Sequence, residues 1–269
     1  MIRIIKNTAM PDIPVSLRPP FKANFHPINV SRIARNTSKR RNELIRKGSY
    51  TDTTAYNSRY KMEDIKTMIK SLYKNKCAYC EQRVEQSHIE HYRPKKTYYW
   101  LAFSWDNLLC ACHTCNQFKD TNFRINGAQA TLMVGLNSIK NINTLSSSYD
   151  LSELPDMVNP EVTDPSGYLV FDKNGGISSP NARFDYTIDK CKIDRTFLRD
   201  YRKKVFDDFI ESLKEEISLT SDKTQQISAI DTLVRTFIRE SKKTENEYLA
   251  FRNYVINNWL KEEIRNLLN

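Results

Sequence analysis

Two Cys-x-x-Cys pairs carry the clearest chemistry in this chain: Cys77 and Cys80 in CAYC, and Cys112 and Cys115 in CHTC. Four thiolates close a tetrahedral zinc site with no position left for water, so zinc held this way is structural. Cys110 and His113 are also three residues apart and form an alternative ligand pair. The pair at 112 and 115 is preferred, because a zinc knuckle presents both thiolates from one tight turn. Cys110 and Cys191 then read as buried thiols.

Between the pairs runs SHIEHYRPK, residues 87–95, followed by WDNLL, residues 105–109. Phosphodiester hydrolysis needs a nucleophile on one side of phosphorus and charge stabilisation at the departing oxygen. A histidine can make the first by taking a proton from water, and one divalent ion can supply the second. Adjacent residues on a strand point to opposite sides, so Glu90 and His91 can present a hard oxygen ligand and a base around one phosphate. A carboxylate suits magnesium or manganese. A short helix after Cys115 returns Asn116 to the same ion and carries Lys119 one turn further, towards a phosphate oxygen. Arg93 and Lys95 are further cations set against phosphate. His88 shares a face with Glu90 and reads as a second ligand or, more simply, an edge histidine. His113 faces solvent in the knuckle.

The elements that must position these residues follow from apolar spacing and punctuation. Residues 1–30 are dotted with Pro11, Pro14, Pro19, Pro20 and Pro27 and read as extended. A basic helix is expected over 31–47, ended by Gly48. A second is expected over 58–74, capped by Ser58, with Met62, Ile65, Met68, Ile69, Leu72 and Tyr73 as its apolar stripe. Residues 126–190 are irregular, with turns at Asp164-Pro165, Asn174-Gly175-Gly176 and Ser179-Pro180 around a short strand, 168–171. The remainder is helical. Leu198, Tyr201, Val205, Phe209 and Leu213 keep helical spacing, as do Ile230, Leu233, Val234 and Phe237. A capping box from Thr244 to Glu247 opens the final helix. The expected units are a basic arm and helix (1–57), a metal-rich core (58–125), a connecting segment (126–190) and a helical region (191–269).

Composition bounds the function classes. The chain has 269 residues, 39% of them hydrophobic, enough for a substantial core. It has no 18-residue apolar run and no signal-peptide pattern in MIRIIKNTAMPDIP, so a cytoplasmic protein with no membrane contact and with reduced thiols is expected. Residues 1–76 hold 17 of the 42 lysines and arginines but only 5 of the 32 acidic residues. The densest run is Arg32, Arg35, Lys39, Arg40, Arg41, Arg46 and Lys47. Such a segment neutralises phosphates, with Arg40 and Arg41 at its centre, or else docks on an acidic partner.

Taken in order, CAYC, IEHYRPK, WDNLLCACHTCNQFK resembles the HNH endonuclease motif. The resemblance implies an α+β, mostly helical chain: a ββα-metal core with a structural zinc knuckle, flanked by helical elements. It implies that His91 is the general base, that Asn107 braces the loop between the strands, and that Glu90 and Asn116 hold a catalytic Mg2+ or Mn2+. Glu90 departs from the commoner aspartate, which keeps the carboxylate but alters its reach. MIRIIKNTAMPDIPVSL, EHYRPK and Met157-Val158-Asn159-Pro160 resemble the HNH subunits of Septu-type antiviral systems. That implies cleavage of nucleic acid, DNA or structured RNA such as tRNA, in anti-phage defence. The implied partners are an ABC/SMC-like ATPase and, in retron–Septu systems, a reverse transcriptase with its RNA and DNA. The competing expectation is a non-catalytic zinc-knuckle module that binds nucleic acid or organises the ATPase.

Overall fold

The computed structural model describes residues 1–9, 12–19, 28–132 and 140–268. Pro11, Pro20 and Pro27 of the proline-dotted stretch lie outside the described residues. Helix α1 (Ile28–Lys47) carries the basic run and ends at Gly48, whose φ of 72° suits a residue without a Cβ. Its inward side is anchored by Leu44, which is fully buried, and by Arg41.

The helix expected over 58–74 is shorter, and a separate one-turn helix precedes it. Helix α2 (Thr54–Asn57) ends at Ser58, so this serine closes one helix instead of capping the next. Helix α3 (Glu63–Leu72) starts after Met62. Ile65, Ile69 and Tyr73 are buried, while Met62, Met68 and Leu72 pack at the edge of the core. Side chains pin the segment between the two helices. Asn57 Oδ1 accepts hydrogen bonds from Tyr50, Tyr60 and Lys95, which hold the intervening turn.

Strand β1 (His88–His91) pairs antiparallel with β2 (Leu108–Ala111), and helix α4 (His113–Lys119) follows. The register sets Ile89 opposite Cys110, Glu90 opposite Leu109 and His91 opposite Leu108. Every residue of β2 is buried, so this strand is covered on both sides, like the centre of a larger sheet. The first cysteine turn is stitched to β2 by the Ala78 N–H donating to the Cys110 carbonyl at 2.7 Å. Fully buried Tyr73, Tyr79, Tyr92 and Phe103, with Trp105, form the surrounding core.

Residues 140–158 pack over the loop that joins the strands. They include short helices α5 (Leu145–Ser148) and α6 (Asp150–Glu153). The strand expected at 168–171 is shorter, β3 (Val170–Phe171), and pairs with β4 (Ile177–Ser178). Gly175 in its turn has φ 77°, and a Cβ there would run into the Arg199 carbonyl.

The C-terminal region consists of α7 (Ala182–Lys190), α8 (Thr196–Ser218), α9 (Lys223–Lys242), α10 (Leu249–Asn258) and α11 (Leu260–Leu268). Phe209 of α8 stacks on Phe237 of α9 at 4.3 Å. The buried line of α8 is Leu198, Arg202, Phe206, Phe209 and Leu213. Tyr201 therefore turns outwards, contrary to the apolar spacing. Arg202 takes an inward place because its guanidinium donates to the carbonyls of Gly175 and Ile193. The expected capping box does not form either. Glu247 accepts the Arg83 N–H at 2.6 Å, and Tyr248, with φ 53°, precedes α10. Among the described residues no helix is long and apolar enough to cross a membrane.

Candidate active site

The four thiols meet. Cys77, Cys80, Cys112 and Cys115 are all buried, and their sulfurs lie within 4.8 Å of one another. Cys80 Sγ and Cys112 Sγ are 3.9 Å apart. A tetrahedral ion with Zn–S bonds of about 2.3 Å sets its sulfurs roughly 3.8 Å apart, so this set fits zinc. Cys112 is also the N-cap of α4, where its sulfur accepts the Cys115 N–H at 3.3 Å. The helix start therefore fixes the second pair. Cys110 and Cys191 are fully buried outside the cluster, and burial pushes the Cys110 thiol up to about 12. His113 is exposed, and its ring lies 5.1 Å from that of His88.

Beside the cluster an open cleft of about 170 Å³ is lined by Glu90 and His91 of β1, Asn116 of α4, Tyr60, Lys95, Lys96 and Asp120. His91 Nε2 is 3.0 Å from the Ala102 carbonyl. A carbonyl only accepts, so Nε2 carries the proton and Nδ1 keeps the basic lone pair. Burial lowers the imidazole to about 3, so the ring is neutral at neutral pH. Tyr60 packs edge-on against it, with ring centres 4.5 Å apart.

Glu90 is buried, and burial raises its carboxyl above the usual range, against the pull of Lys119. Lys119 Nζ pairs with Glu90 Oε1 at 2.5 Å. The Asn116 carboxamide has no hydrogen-bond partner among the described residues. A buried carboxylate beside a carboxamide with no hydrogen-bond partner is a donor set for a hard divalent cation.

Asn107 is fully buried at the end of the loop between the strands. Its Oδ1 accepts from the Arg93 N–H at 2.8 Å and from Ser146 Oγ at 3.0 Å. Its Nδ2 donates to the carbonyls of Arg93 and Leu101. This one side chain ties the loop entrance to the 3-10 turn Tyr99–Leu101, immediately before the carbonyl that holds His91.

Three of the cations expected at phosphate are not available to it. Arg93 is fully buried and donates to Glu153 at 2.9 Å, Ser146 at 3.2 Å and Asp150 at 2.7 Å. Lys119 is fully buried between Glu90 and the His91 carbonyl. Arg41 is buried, donates to the Phe103 carbonyl at 2.6 Å, and is lowered by that burial to about 10. Each shapes the site from behind. Arg40 is half-exposed but paired with Glu43 at 2.8 Å. Lys95 alone of the five reaches the cleft.

Several residues at the site have no signal in the motif spacing. Tyr60 arrives from the turn between α2 and α3, and Asp120 from the residue ending α4, with φ 39°. Arg195, just before α8, sets its guanidinium nitrogens 3.5 Å from Cys115 Sγ, 3.9 Å from Cys112 Sγ and 4.0 Å from Cys80 Sγ.

Comparison with known proteins bears on this arrangement. Residues 77–121 match the HNH endonuclease family. The chain carries an HNH endonuclease domain. Over 98 residues it is 36% identical to Septu protein PtuB of Bacillus mycoides (strain KBAB4), covering 30% of this chain and 33% of that protein. Over 62 residues it is 40% identical to Septu protein PtuB of Bacillus thuringiensis, 22% of this chain and 24% of that one. It is also 23% identical over 160 residues to Septu protein PtuA of Bacillus mycoides, 54% of this chain and 21% of that one. The aligned segments thus span a third or less of each relative. The HNH segment contains the four cysteines, Glu90, His91, Asn107 and Asn116.

Proposed function

We propose that this chain is a metal-dependent HNH endonuclease that hydrolyses phosphodiester bonds, DNA first and structured RNA such as tRNA second, as a subunit of a Septu-type anti-phage system. The observation that carries the reading is His91. It is a neutral imidazole whose Nε2 proton is spent on the Ala102 carbonyl, leaving Nδ1 as a base in a cleft that Glu90 and Asn116 also line.

In this reading the core is a ββα-metal unit within residues 58–125, with zinc on the four cysteines and the arm, connecting segment and C-terminal helices around it. Glu90 Oε1 and the Asn116 carboxamide would hold Mg2+ or Mn2+, which when bound supplies charge stabilisation to the phosphate. His91 Nδ1 takes a proton from water as the water oxygen attacks phosphorus and the P–O bond to the sugar oxygen opposite breaks; the departing oxygen takes a proton from solvent, and the phosphate charge beside the ring favours the imidazolium that forms. Lys95 offsets charge on a phosphate oxygen. Asn107 holds the loop so that the Ala102 carbonyl stays on His91. The similarity to the Septu proteins supports an ABC/SMC-like ATPase as partner, with a retron reverse transcriptase and its nucleic acid as a further candidate.

The test incubates wild-type and His91→Ala protein, each with and without the ATPase, with plasmid DNA and total RNA in magnesium or manganese. His91→Ala is expected to lose about 10²–10⁴-fold in cleavage, the usual contribution of a general base, with zinc content unchanged. His88→Ala, outside the cleft, should lose far less. Equal cleavage by wild type and His91→Ala would overturn the assignment.

A further inference from the structure

Tyr60, outside the matched HNH segment, lines the cleft, and the residues around it, Tyr50 and Asn57, hold Lys95 in an unusual way. Lys95 Nζ donates to Tyr60 Oη at 2.9 Å and to Asn57 Oδ1 at 3.1 Å. The same ammonium sits over the Tyr50 ring at 4.5 Å and the Tyr60 ring at 4.9 Å. Its nearest carboxylate is Asp52, 4.0 Å away and 68% exposed, which is itself turned to Asn57 Nδ2 at 2.7 Å. Neutral oxygens and aromatic faces therefore hold this cation, so little of its charge is cancelled locally. Contrast Arg93 and Lys119, whose charges are met by buried carboxylates. Lys61 lies over the Tyr60 ring at 5.6 Å, and Lys96 lines the same cleft, which adds to the positive field at its mouth.

Tyr60 links this cation to the base. Its hydroxyl accepts from Lys95 while its ring edge rests on His91 at 4.5 Å. The ring is buried and the hydroxyl is anchored on Asn57 Oδ1 at 3.2 Å, so neither end moves independently. Resting on the endonuclease reading above, we propose that Tyr60, held by Asn57 and Tyr50, is a positioning residue that fixes Lys95 as the cation for a substrate phosphate and sets that phosphate against His91. The active site then extends beyond the HNH segment into residues 50–60. Its two halves separate by chemistry. The hydroxyl serves Lys95 and hence substrate binding, and the ring serves His91 and hence turnover.

The test uses full-length protein with Tyr60→Phe, Tyr60→Leu and Lys95→Gln. Binding of a fluorescein-labelled DNA duplex and of an RNA of equal length is read by anisotropy across a salt series, each change also placed on His91→Ala so that nothing is cut. Lys95→Gln should weaken binding and flatten the slope of log K against log salt by about one, as expected when one phosphate fewer is neutralised. Tyr60→Phe should move binding and KM in the same direction, by roughly threefold to tenfold, and leave kcat within about twofold. Tyr60→Leu should lower kcat as well, while zinc content and unfolding midpoint of Tyr60→Phe report that the fold is intact. Unchanged affinity and salt slope in both Lys95→Gln and Tyr60→Phe would overturn the proposal. If no variant, wild type included, cuts either nucleic acid, the endonuclease reading fails instead, and the binding arm still decides whether Lys95 meets phosphate.

Discussion

At the scale of single residues, the site depends on polar side chains that are buried and fully used. Asn107 makes four hydrogen bonds with no exposure to water. Truncating it strands the Arg93 N–H and two carbonyls in the core, and a buried polar group left unpaired costs about 1–3 kcal/mol. Asn107→Ala should therefore lose roughly 2–4 kcal/mol in urea unfolding of the zinc-loaded protein. A loss below about 1 kcal/mol would show that water enters to replace the amide. The same logic explains why Arg93 and Lys119 serve the site without touching substrate. A guanidinium or ammonium paired with buried carboxylates keeps its charge, but the partners cancel it locally and occupy its donors.

At the scale of elements, the C-terminal helical region reaches the four-cysteine cluster through Arg195. Four thiolates around one Zn2+ carry a net charge of −2, and a guanidinium beside three of the sulfurs offsets it through charge-assisted N–H···S contacts. Arg195→Gln removes that charge but keeps a polar chain at a half-buried position. Zinc should then pass to a competing chelator more readily, with affinity lower by about 10-fold to 100-fold, as for other residues that support metal ligands. The helical signature in circular dichroism should stay. An unchanged rate of zinc transfer would refute the role. Helix α1 supports the other side of the site, because Arg41 holds the Phe103 carbonyl next to the Ala102 carbonyl that accepts from His91.

At the scale of the whole molecule, the basic excess is divided between inside and outside. Arg32, Arg35, Lys39 and Arg46 are exposed and fall on one side of α1 by helical spacing, while Arg41 points inwards. Reversing Arg40 and Arg41 would therefore mix a surface change with a buried one and destabilise the fold. Reversing Arg32, Lys39 and Arg46 to Glu is the cleaner test of the arm. It should weaken nucleic-acid binding about equally for all sequences and flatten the salt slope by roughly two to three, about one for each phosphate no longer neutralised. The melting temperature should change little. If α1 instead docks on the ATPase, the triple reversal will break co-purification and leave nucleic-acid affinity untouched.

What the sequence by itself determined is local. Cysteines three apart make tight turns, and the second turn doubles as a helix start, so the four-cysteine cluster was legible from spacing. Glu90 next to His91 in a strand, and Asn116 just after a cysteine-capped turn, are likewise set by short-range backbone geometry, and they do line one cleft. The tertiary structure decided which charges face water. Arg41, Arg93 and Lys119 look in sequence like any surface cation, but burial and the partners that hold them come from segments about 30 to 60 residues away. It also decided that Ser58 ends a helix, that Glu247 reaches Arg83 instead of capping, and that Tyr60 and Arg195 arrive at the site. No spacing rule encodes such encounters, because they follow from how distant segments pack once the chain has closed on its core.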